Sequence, residues 1–466
     1  MIDVAVIGGG ISGLTAAYEL RRKGYDVKVL ERQVRPGGNA ISENINGFLM
    51  EHGPSTINAA VPEVHDLSGA LGLSSSVVEL SDQVKHRYLV KHGKLNGIPV
   101  DPLGFLRSDY LSPIGRLRLM VEAVIPKGKN DADETVDQYF ARRFGSEFAT
   151  GIMDPLVGGL YAGRSDELSV RSVFPKLVEM EQRYGSVCKA VLVRHLQGGV
   201  MPGRRLYSWS NGIATLPAAL TSTLSENIHT GVTVRRIITC GSGFEVDTAR
   251  DGRIHTRAIV IATQPHVAAA LLEEVAPVGA GAIQEINAPP LAVAFLGYRR
   301  QAVDHPLDGL GYLAPSSEDR VLTGAQFSSS MFAGRAPDGY VSLTGYLGGT
   351  RHPEVGQMQE KDLIGVAEAE FKDLLGVRGR YEISRVRKWP RGLPQYCTGH
   401  QARIARILRS TKETPGLFVT GNYLSGPSVG ACVANAQQTS QQVNSFLKAK
   451  ARLEEQNPYF SAESFR

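Results

Sequence analysis

Cysteine is scarce in this sequence, and its spacing excludes two kinds of site. The four cysteines, Cys188, Cys240, Cys397 and Cys432, are scattered over 466 residues without a C-x-x-C pair. Such spacing argues against a disulfide framework and against a cysteine-based zinc site, and it is typical of a reducing compartment. We therefore predict a cytoplasmic protein.

Long apolar runs and clusters of basic residues are missing as well. No stretch of 18 or more apolar residues occurs, so no membrane-spanning helix is expected. The first predicted strand begins at residue 3, which leaves no room for a signal or transit peptide. The net charge of +5 is modest for this length, and no Lys/Arg run indicates a nucleic-acid surface. Nucleic acid is not an expected partner, whereas peripheral contact with a membrane stays open.

Against these absences, residues 3–31 carry a specific pattern. An apolar strand leads into the glycines of a G-x-G-x-x-G motif, Gly8, Gly10 and Gly13, and an Ala- and Leu-rich helix follows. Between a strand and a helix, such glycines permit a tight turn, the approach of a diphosphate, and close packing of helix on strand. The N-terminus of the helix favours an anion. The pattern predicts a dinucleotide site, with Glu31 at the end of the second strand accepting hydrogen bonds from an adenosine ribose.

A second glycine turn indicates which dinucleotide binds. The sequence Arg35-Pro36-Gly37-Gly38 follows soon after Glu31, and it offers further backbone N–H groups and one fixed positive charge to the diphosphate. This arrangement resembles the beginning of FAD-containing oxidoreductases of the amine-oxidase-like superfamily, rather than that of NAD dehydrogenases. The FAD contacts predicted in the first part of the chain are Gly8, Gly10, Ile11, Ser12, Gly13, Glu31, Arg32, Gly37, Gly38, Gly53, Pro54 and Ser55.

The rest of the chain predicts an α/β fold: an interrupted Rossmann-like FAD-binding domain, and a mixed-sheet substrate domain with a helical, membrane-binding-like subdomain. Apolar strands at 258–263 and 416–422 return to the nucleotide domain, and a strand is also predicted at 231–238. The expected divisions are FAD-binding segments at 1–83, 208–270 and 401–449, a substrate-entrance and helical subdomain at 84–207, a substrate-binding domain at 271–400, and a frayed polar tail at 450–466.

Several internal stretches resemble protoporphyrinogen oxidases, and the resemblance runs nearly end to end. The first is PLVGGLYAG at 155–163, followed by FPKL at 174–177. Further along, FSSSMF at 327–332, KWP at 388–390 and LPQY at 393–396 continue it. These motifs are more specific than the glycine loop, and monoamine oxidases and carotene desaturases do not share them.

The resemblance implies an FAD enzyme that oxidises a porphyrinogen to a porphyrin by hydride transfer to flavin N5. Oxygen, with release of H2O2, or a quinone would reoxidise the flavin. Because the cofactor carries the hydride, the protein supplies orientation and a dry cavity. We accordingly find no Ser/His/Asp, Cys/His or paired-carboxylate arrangement, and we assign no catalytic side chain and no metal.

The resemblance also implies site residues. Arg87 matches an arginine that pairs with a substrate propionate, a task suited to a planar guanidinium. Gly159 matches a glycine that leaves room for the macrocycle, while Leu313 and Tyr346 match positions that flank the pyrroles. Gln326 stands where a leucine is expected. The later FAD contacts implied are Val234, Trp389, Gly421, Asn422 and Val429.

Three departures leave the substrate open. Besides Gln326, Arg164 replaces an acidic or amide residue, and Ala431-Cys432 replaces Asp-Cys. A more polar clamp would suit coproporphyrinogen, with four carboxylates, or another tetrapyrrole. A flavin amine oxidase, a polyene desaturase and a non-catalytic flavoprotein are the competing interpretations. A homodimer also stays open.

Apolar residues of the helical segment could form an exposed membrane-facing or substrate-entrance surface beside basic residues, or simply a subdomain core. The apolar members of this face are Phe105, Leu106, Leu111, Ile114, Leu117, Leu119 and Met120, and the basic ones are Arg107, Arg116 and Arg118.

Overall fold

The computed structural model describes residues 1–99, 108–128, 133–196, 206–241 and 243–456. The strands are β1 (Ile2–Ile7), β2 (Val27–Glu31), β3 (Ser42–Ile45), β4 (Phe48–Glu51), β5 (Ile57–Asn58), β6 (Val77–Glu79), β7 (His86–Lys91), β8 (Lys94–Pro99), β9 (Leu206–Trp209), β10 (Ile228–Thr230), β11 (Val234–Cys240), β12 (Gly243–Thr248), β13 (Arg253–Ile261), β14 (Leu291–Arg299), β15 (Gly309–Leu313), β16 (Leu322–Gln326), β17 (Tyr340–Gly348), β18 (Ile383–Trp389) and β19 (Leu417–Val419).

The helices are α1 (Ile11–Arg21), α2 (Pro62–Ala70), α3 (Pro113–Met120), α4 (Val136–Phe144), α5 (Ser146–Phe148), α6 (Asp154–Tyr161), α7 (Val170–Val173), α8 (Pro175–Tyr184), α9 (Val187–Leu196), α10 (Thr215–Thr223), α11 (Pro265–Leu272), α12 (Pro277–Gln284), α13 (Ser328–Met331), α14 (Glu360–Leu375), α15 (His400–Lys412), α16 (Asn422–Ser425) and α17 (Val429–Gln456). A π turn, Ala149–Met153, leads directly into α6.

The first sheet draws its strands from three separated parts of the chain. Its order is β10-β2-β1-β13-β12-β11, and β19 pairs in parallel with the second half of β13. The strands β1, β2, β10, β13 and β19 are mutually parallel. Helices α1 and α17 cover one face through a core that includes Val6, Leu14 and Val433, whereas α11, α12 and α15 cover the other. Apolar side chains on both faces explain why these strands read as continuous hydrophobic runs.

The second sheet is mixed, with the order β18-β14-β17-β16-β15-β7-β8. Strands β15 and β7 pair in parallel, and the other neighbours are antiparallel. One face packs on α14: Tyr88, Tyr312 and Ala325 of the sheet share a buried core with Leu363 and Phe371. Because side chains alternate between faces along a strand, the opposite face remains for the site. The α/β prediction with a mixed second sheet is confirmed.

Residues 113–196 form the predicted helical region over the described part. The aromatic side chains of Tyr139, Phe140 and Phe144 lie in its core. Arg143 is fully buried and pairs with two buried carboxylates, Glu122 and Glu181. Buried charges persist only when paired and hydrogen-bonded, so this cluster fixes how the helices meet.

Several sequence expectations need correction or narrowing. Leu111 is 2% exposed, because Leu89 and Ile98 cover it, so it is not part of an exposed face. Ile114, Leu117 and Met120 are exposed as expected, Leu119 is partly buried, and Phe105, Leu106 and Arg107 lie outside the described residues.

Residues 258–261 of the strand expected at 258–263 are the second half of β13, which begins earlier and ends at Ile261. The strand expected at 416–422 is the shorter β19, and the strand expected from residue 231 begins at Val234. The tail is helical rather than frayed through Gln456, because α17 continues across residues 450–456. Among the described residues, no helix combines the length and apolar content needed to cross a membrane.

Candidate functional site

The G-x-G-x-x-G loop forms a cradle whose shape requires glycine. A Cβ on Gly13 would overlap the Gly8 carbonyl, and one on Gly8, at φ +104°, would lie 2.7 Å from the Ala262 carbonyl oxygen. Gly10, by contrast, has open space: the nearest atom to its would-be Cβ is Gly38 Cα, at 3.9 Å. The start of α1, at Ile11 and Ser12, has no side-chain cap. An anion can therefore reach unpaired N–H groups at a positive helix end.

The second glycine turn is docked on the first. Gly37 N–H donates to Gly9 O at 2.7 Å, and Gly38 lies against Gly10. The Arg35 guanidinium donates to Pro36 O at 2.9 Å and to Gly38 O at 2.7 Å. The Arg35 side chain thus stabilises the turn by donating hydrogen bonds to two of the turn's carbonyl groups.

Glu31 lies between the glycine turns and the start of β11. Its carboxylate accepts hydrogen bonds from Gly9 N–H at 2.6 Å and from Gln33 N–H at 2.7 Å. Its carbonyl oxygen accepts from Val232 N–H at 2.9 Å, two residues before Val234 begins β11. The exposed Arg32 adjoins it. These predicted contacts are therefore close together at the carboxyl ends of parallel strands, where dinucleotides bind in this class of sheet.

The turn at residues 53–55 is tied to the second sheet. Trp389 Nε1 donates to His52 O at 2.7 Å. A Cβ on Gly53 would overlap the Asn39 carbonyl, and Pro54 follows. Ser55 Oγ donates to Gln326 Oε1 at 2.8 Å. The turn expected to contact FAD is thus held by two residues of the expected substrate sheet.

The C-terminal contacts lie beside α1. Asn435 Oδ1 accepts hydrogen bonds from Thr420 Oγ1 at 2.8 Å and from Gly421 N–H at 3.4 Å. The Tyr396 hydroxyl donates to the carbonyl of Asn422. Helix α17 begins at Val429 and packs along α1. The Cys432 thiol of α17 forms a hydrogen bond with Ser12 of α1, so the N-termini of the two helices adjoin. Burial raises the pKa of this thiol to about 11, and the hydrogen bond with Ser12 opposes the increase.

The predicted substrate residues that lie on strands share one face of the second sheet. Tyr346 is opposite Gly324, Gly324 is opposite Leu313, and Leu313 is opposite Leu89. Directly opposed residues point to the same face, as do residues two apart on one strand. Gln326 and Arg87 therefore also lie on this face, as does Trp389 through its partner Leu291.

Two contacts complete this surface. A Cβ on Gly159 of α6 would overlap the Leu313 side chain, so the helix backbone lies directly on the sheet. Gln326 Oε1 accepts from the Tyr346 hydroxyl at 2.9 Å as well as from Ser55. The geometry therefore brings the five predicted substrate residues to one surface that adjoins the predicted flavin turn.

Comparison with known proteins decides the family. Residues 11–444 match the family described as flavin containing amine oxidoreductase. The chain belongs to this family. FAD is its cofactor, and this flavoprotein is an FAD-dependent oxidoreductase, as the sequence predicted. The glycine cradle, open in front of Gly10, fits a diphosphate-containing cofactor.

The relatives of this flavoprotein match nearly its whole length. Protoporphyrinogen oxidase 2 of Arabidopsis thaliana is 29% identical over 96% of this chain and 94% of its own. Coproporphyrinogen III oxidase of Bacillus subtilis is 25% identical over 92% of this chain and 95% of its own. The crystal structure of a provisional protoporphyrinogen oxidase from Exiguobacterium sp. 255-15 superposes with a TM-score of 0.83 at 21% identity, covering 96% and 99% of the two chains. That likeness shows the fold.

Sequence reasoning missed Glu51 of the flavoprotein. Its buried carboxylate accepts from Ser42 Oγ at 2.6 Å and from Ile213 N–H at 2.9 Å, and lies 3.9 Å from the Arg335 guanidinium. Burial raises its pKa to about 7, against the opposing effect of these three partners. The available signal was an acidic residue ending a strand directly before the turn at residues 53–55.

Proposed function

We propose that this flavoprotein oxidises protoporphyrinogen IX to protoporphyrin IX, as a step of heme biosynthesis. The observation that carries the proposal is the single sheet face that holds Arg87, Leu313, Gln326 and Tyr346 against Gly159. A flexible apolar macrocycle with carboxylate arms matches such a surface, which is apolar in the centre, cationic at one edge, and joined to the turn predicted to contact the flavin. The relatives named protoporphyrinogen oxidase and coproporphyrinogen III oxidase support the same reaction class.

When bound, FAD would supply a hydride acceptor at N5 for each of the three two-electron oxidations that the porphyrinogen requires, and each reoxidation would reduce one O2 to H2O2. The residues of the chain bind and orient the cofactor and the substrate. The glycine cradle and the start of α1 hold the diphosphate, and Glu31 binds the ribose. Arg87 binds a propionate, while Leu313 and Tyr346 flank a pyrrole. Burial raises the pKa of Tyr346, so its hydroxyl stays protonated and donates to Gln326 at neutral pH.

A second candidate is oxidation of coproporphyrinogen III, and Gln326 favours it. The two lone pairs of its Oε1 are taken by the hydroxyls of Ser55 and Tyr346. Its side-chain NH2 donates to none of the described residues, and this leaves two N–H donors for a ligand. A carboxylate is a strong acceptor for such donors, and coproporphyrinogen carries propionates where protoporphyrinogen carries vinyl groups.

Membrane contact, the electron acceptor and the oligomeric state are proposals as well. Ile114, Leu117, Met120 and Val124 are exposed on the helical region with Arg116 nearby, and we propose this surface for peripheral membrane contact. The acceptor is O2 or a quinone, and a homodimer is compatible with this arrangement. We keep the three-part division of the FAD domain, which accords with the three sources of strands in the first sheet.

The test is anaerobic mixing of the FAD-loaded protein with protoporphyrinogen IX and, separately, coproporphyrinogen III. Bleaching of the flavin with formation of fluorescent porphyrin is the expected result. A faster reaction with coproporphyrinogen selects the second candidate, and Gln326→Leu should then reduce that preference. If the protein is fully loaded with FAD and neither compound bleaches the flavin, both candidate functions are refuted. Arg378→Ala, at a 78% exposed side chain, is the control variant.

A further inference from the structure

A buried ion pair links helix α6 to the second sheet, which meet at Gly159. Arg351 follows β17 and Asp154 begins α6, and each side chain is 8% exposed. The Arg351 guanidinium donates to Asp154 Oδ1 and to the Asp154 carbonyl, both at 2.9 Å, and to the Ala314 carbonyl at 3.0 Å. One side chain therefore connects the end of β15 to the start of α6.

The carboxylate of Asp154 extends the link. Its Oδ2 accepts from Ser316 N–H at 2.7 Å, just beyond β15, and its Oδ1 also accepts from Ser165 Oγ at 3.1 Å. The guanidinium passes directly beneath α6, since a Cβ on Gly158 would lie 2.8 Å from Arg351 Nη2. Gly158 therefore leaves the room that the ion pair occupies.

The loop before Arg351 holds the other end of α6. Thr350 N–H donates to the Ala162 carbonyl at 2.9 Å, and Thr350 Oγ1 donates to the same oxygen at 3.1 Å. Gly349, at φ +76°, lies against the same carbonyl too closely for a Cβ. Residues 349–351 thus contact α6 at both of its ends, and Gly159 lies between them.

We propose that Arg351 and Asp154 are positioning residues that set the contact between Gly159 and Leu313, and with it the width of the substrate cleft. The pair touches no reacting atom and acts through α6. This inference rests on the proposed function, because the cleft is assigned through Gly159 and Leu313. Small displacements of a positioned wall cost activity out of proportion to their size, on the order of 10²-fold for about 1 Å.

The test is Arg351→Lys in the FAD-loaded protein, with Arg378→Lys as the exposed control. Lysine keeps the charge beside Asp154 but cannot span Asp154 and the Ala314 carbonyl with one planar fork. We expect kcat/KM for the preferred porphyrinogen to fall about 10²-fold, chiefly through KM, with the ratio of flavin to protein unchanged. Amide exchange over residues 155–162 should quicken at least about tenfold, and the control should alter neither.

A kcat/KM within threefold of the parent, or unchanged exchange in α6, would overturn the proposal. If Arg351→Lys fails to retain FAD, Asp154→Asn provides the same two measurements, because it keeps the side-chain shape and removes the charge. If the parent protein oxidises neither porphyrinogen, the proposed function fails by itself. The exchange measurement then decides whether the pair holds α6.

Discussion

The Glu51 carboxyl makes folding stability depend on pH in a direction that can be calculated. Burial raises its pKa to about 7 from an ordinary 4.5, so the folded state holds a proton that the unfolded chain has already lost. Stability is then fully present below pH 4.5 and is lost as pH rises through 7. Between pH 5.5 and 8.0 the loss amounts to about 2 kcal/mol, since each pH unit in this window is worth ~1.4 kcal/mol at most.

Glu51→Gln should remove this dependence, because an amide does not titrate and occupies nearly the same volume. Urea unfolding of the FAD-loaded parent and variant at pH 5.5 and 8.0 measures it. The parent should lose about 2 kcal/mol relative to the variant across this interval, whereas Glu382→Gln, at an exposed carboxylate, should not differ from the parent in this way. If the difference in unfolding free energy between parent and variant is the same at both pH values within about 0.5 kcal/mol, the raised pKa of Glu51 is refuted.

Four further substitutions test the site and the helical region. Gly13→Val should abolish FAD retention, because its side chain would overlap the Gly8 carbonyl; yellow protein after gel filtration would contradict this. Glu31→Ala should weaken retention of FAD, measured by dilution, and full occupancy would count against the ribose contact. Arg87→Ala should raise KM with FAD content unchanged, and an unaltered KM would refute the propionate assignment. Arg143→Ala should destabilise the fold by about 3–5 kcal/mol, because it leaves the buried Glu122 carboxylate without its ion-pair partner; a urea midpoint near that of the parent would exclude this.

The dinucleotide cradle could be predicted because its determinants are local. Gly8, Gly10 and Gly13 report backbone requirements within one turn, and those requirements appear directly in the sequence. The strands on either side are apolar because both faces of the sheet are covered. Local patterns of this kind predict an element and its chemistry together.

The ion pairs and buried acids could not be predicted because they depend on distant parts of the chain. Arg351 and Asp154 are separated by 197 residues, and Glu51 meets Ile213 across 162. The position of Glu51 at the end of a strand before a turn does not show that its carboxylate is buried, and the local pattern around Asp154 does not show this either. Leu111 shows the same limit for apolar residues, since only the packing of Leu89 and Ile98 decides that it is buried.

Gln326 shows why a departure from a family pattern has to be read in three dimensions. Its carbonyl oxygen is the shared acceptor for the hydroxyls of Ser55, in the turn predicted to contact FAD, and of Tyr346, in the second sheet. A leucine there would leave both hydroxyls without that acceptor, and an unmade hydrogen bond at a partly buried site costs about 1–3 kcal/mol. The glutamine and the two hydroxyls therefore form one hydrogen-bonded arrangement, in which a single side chain both makes the predicted substrate face more polar and connects it to the turn predicted to contact FAD.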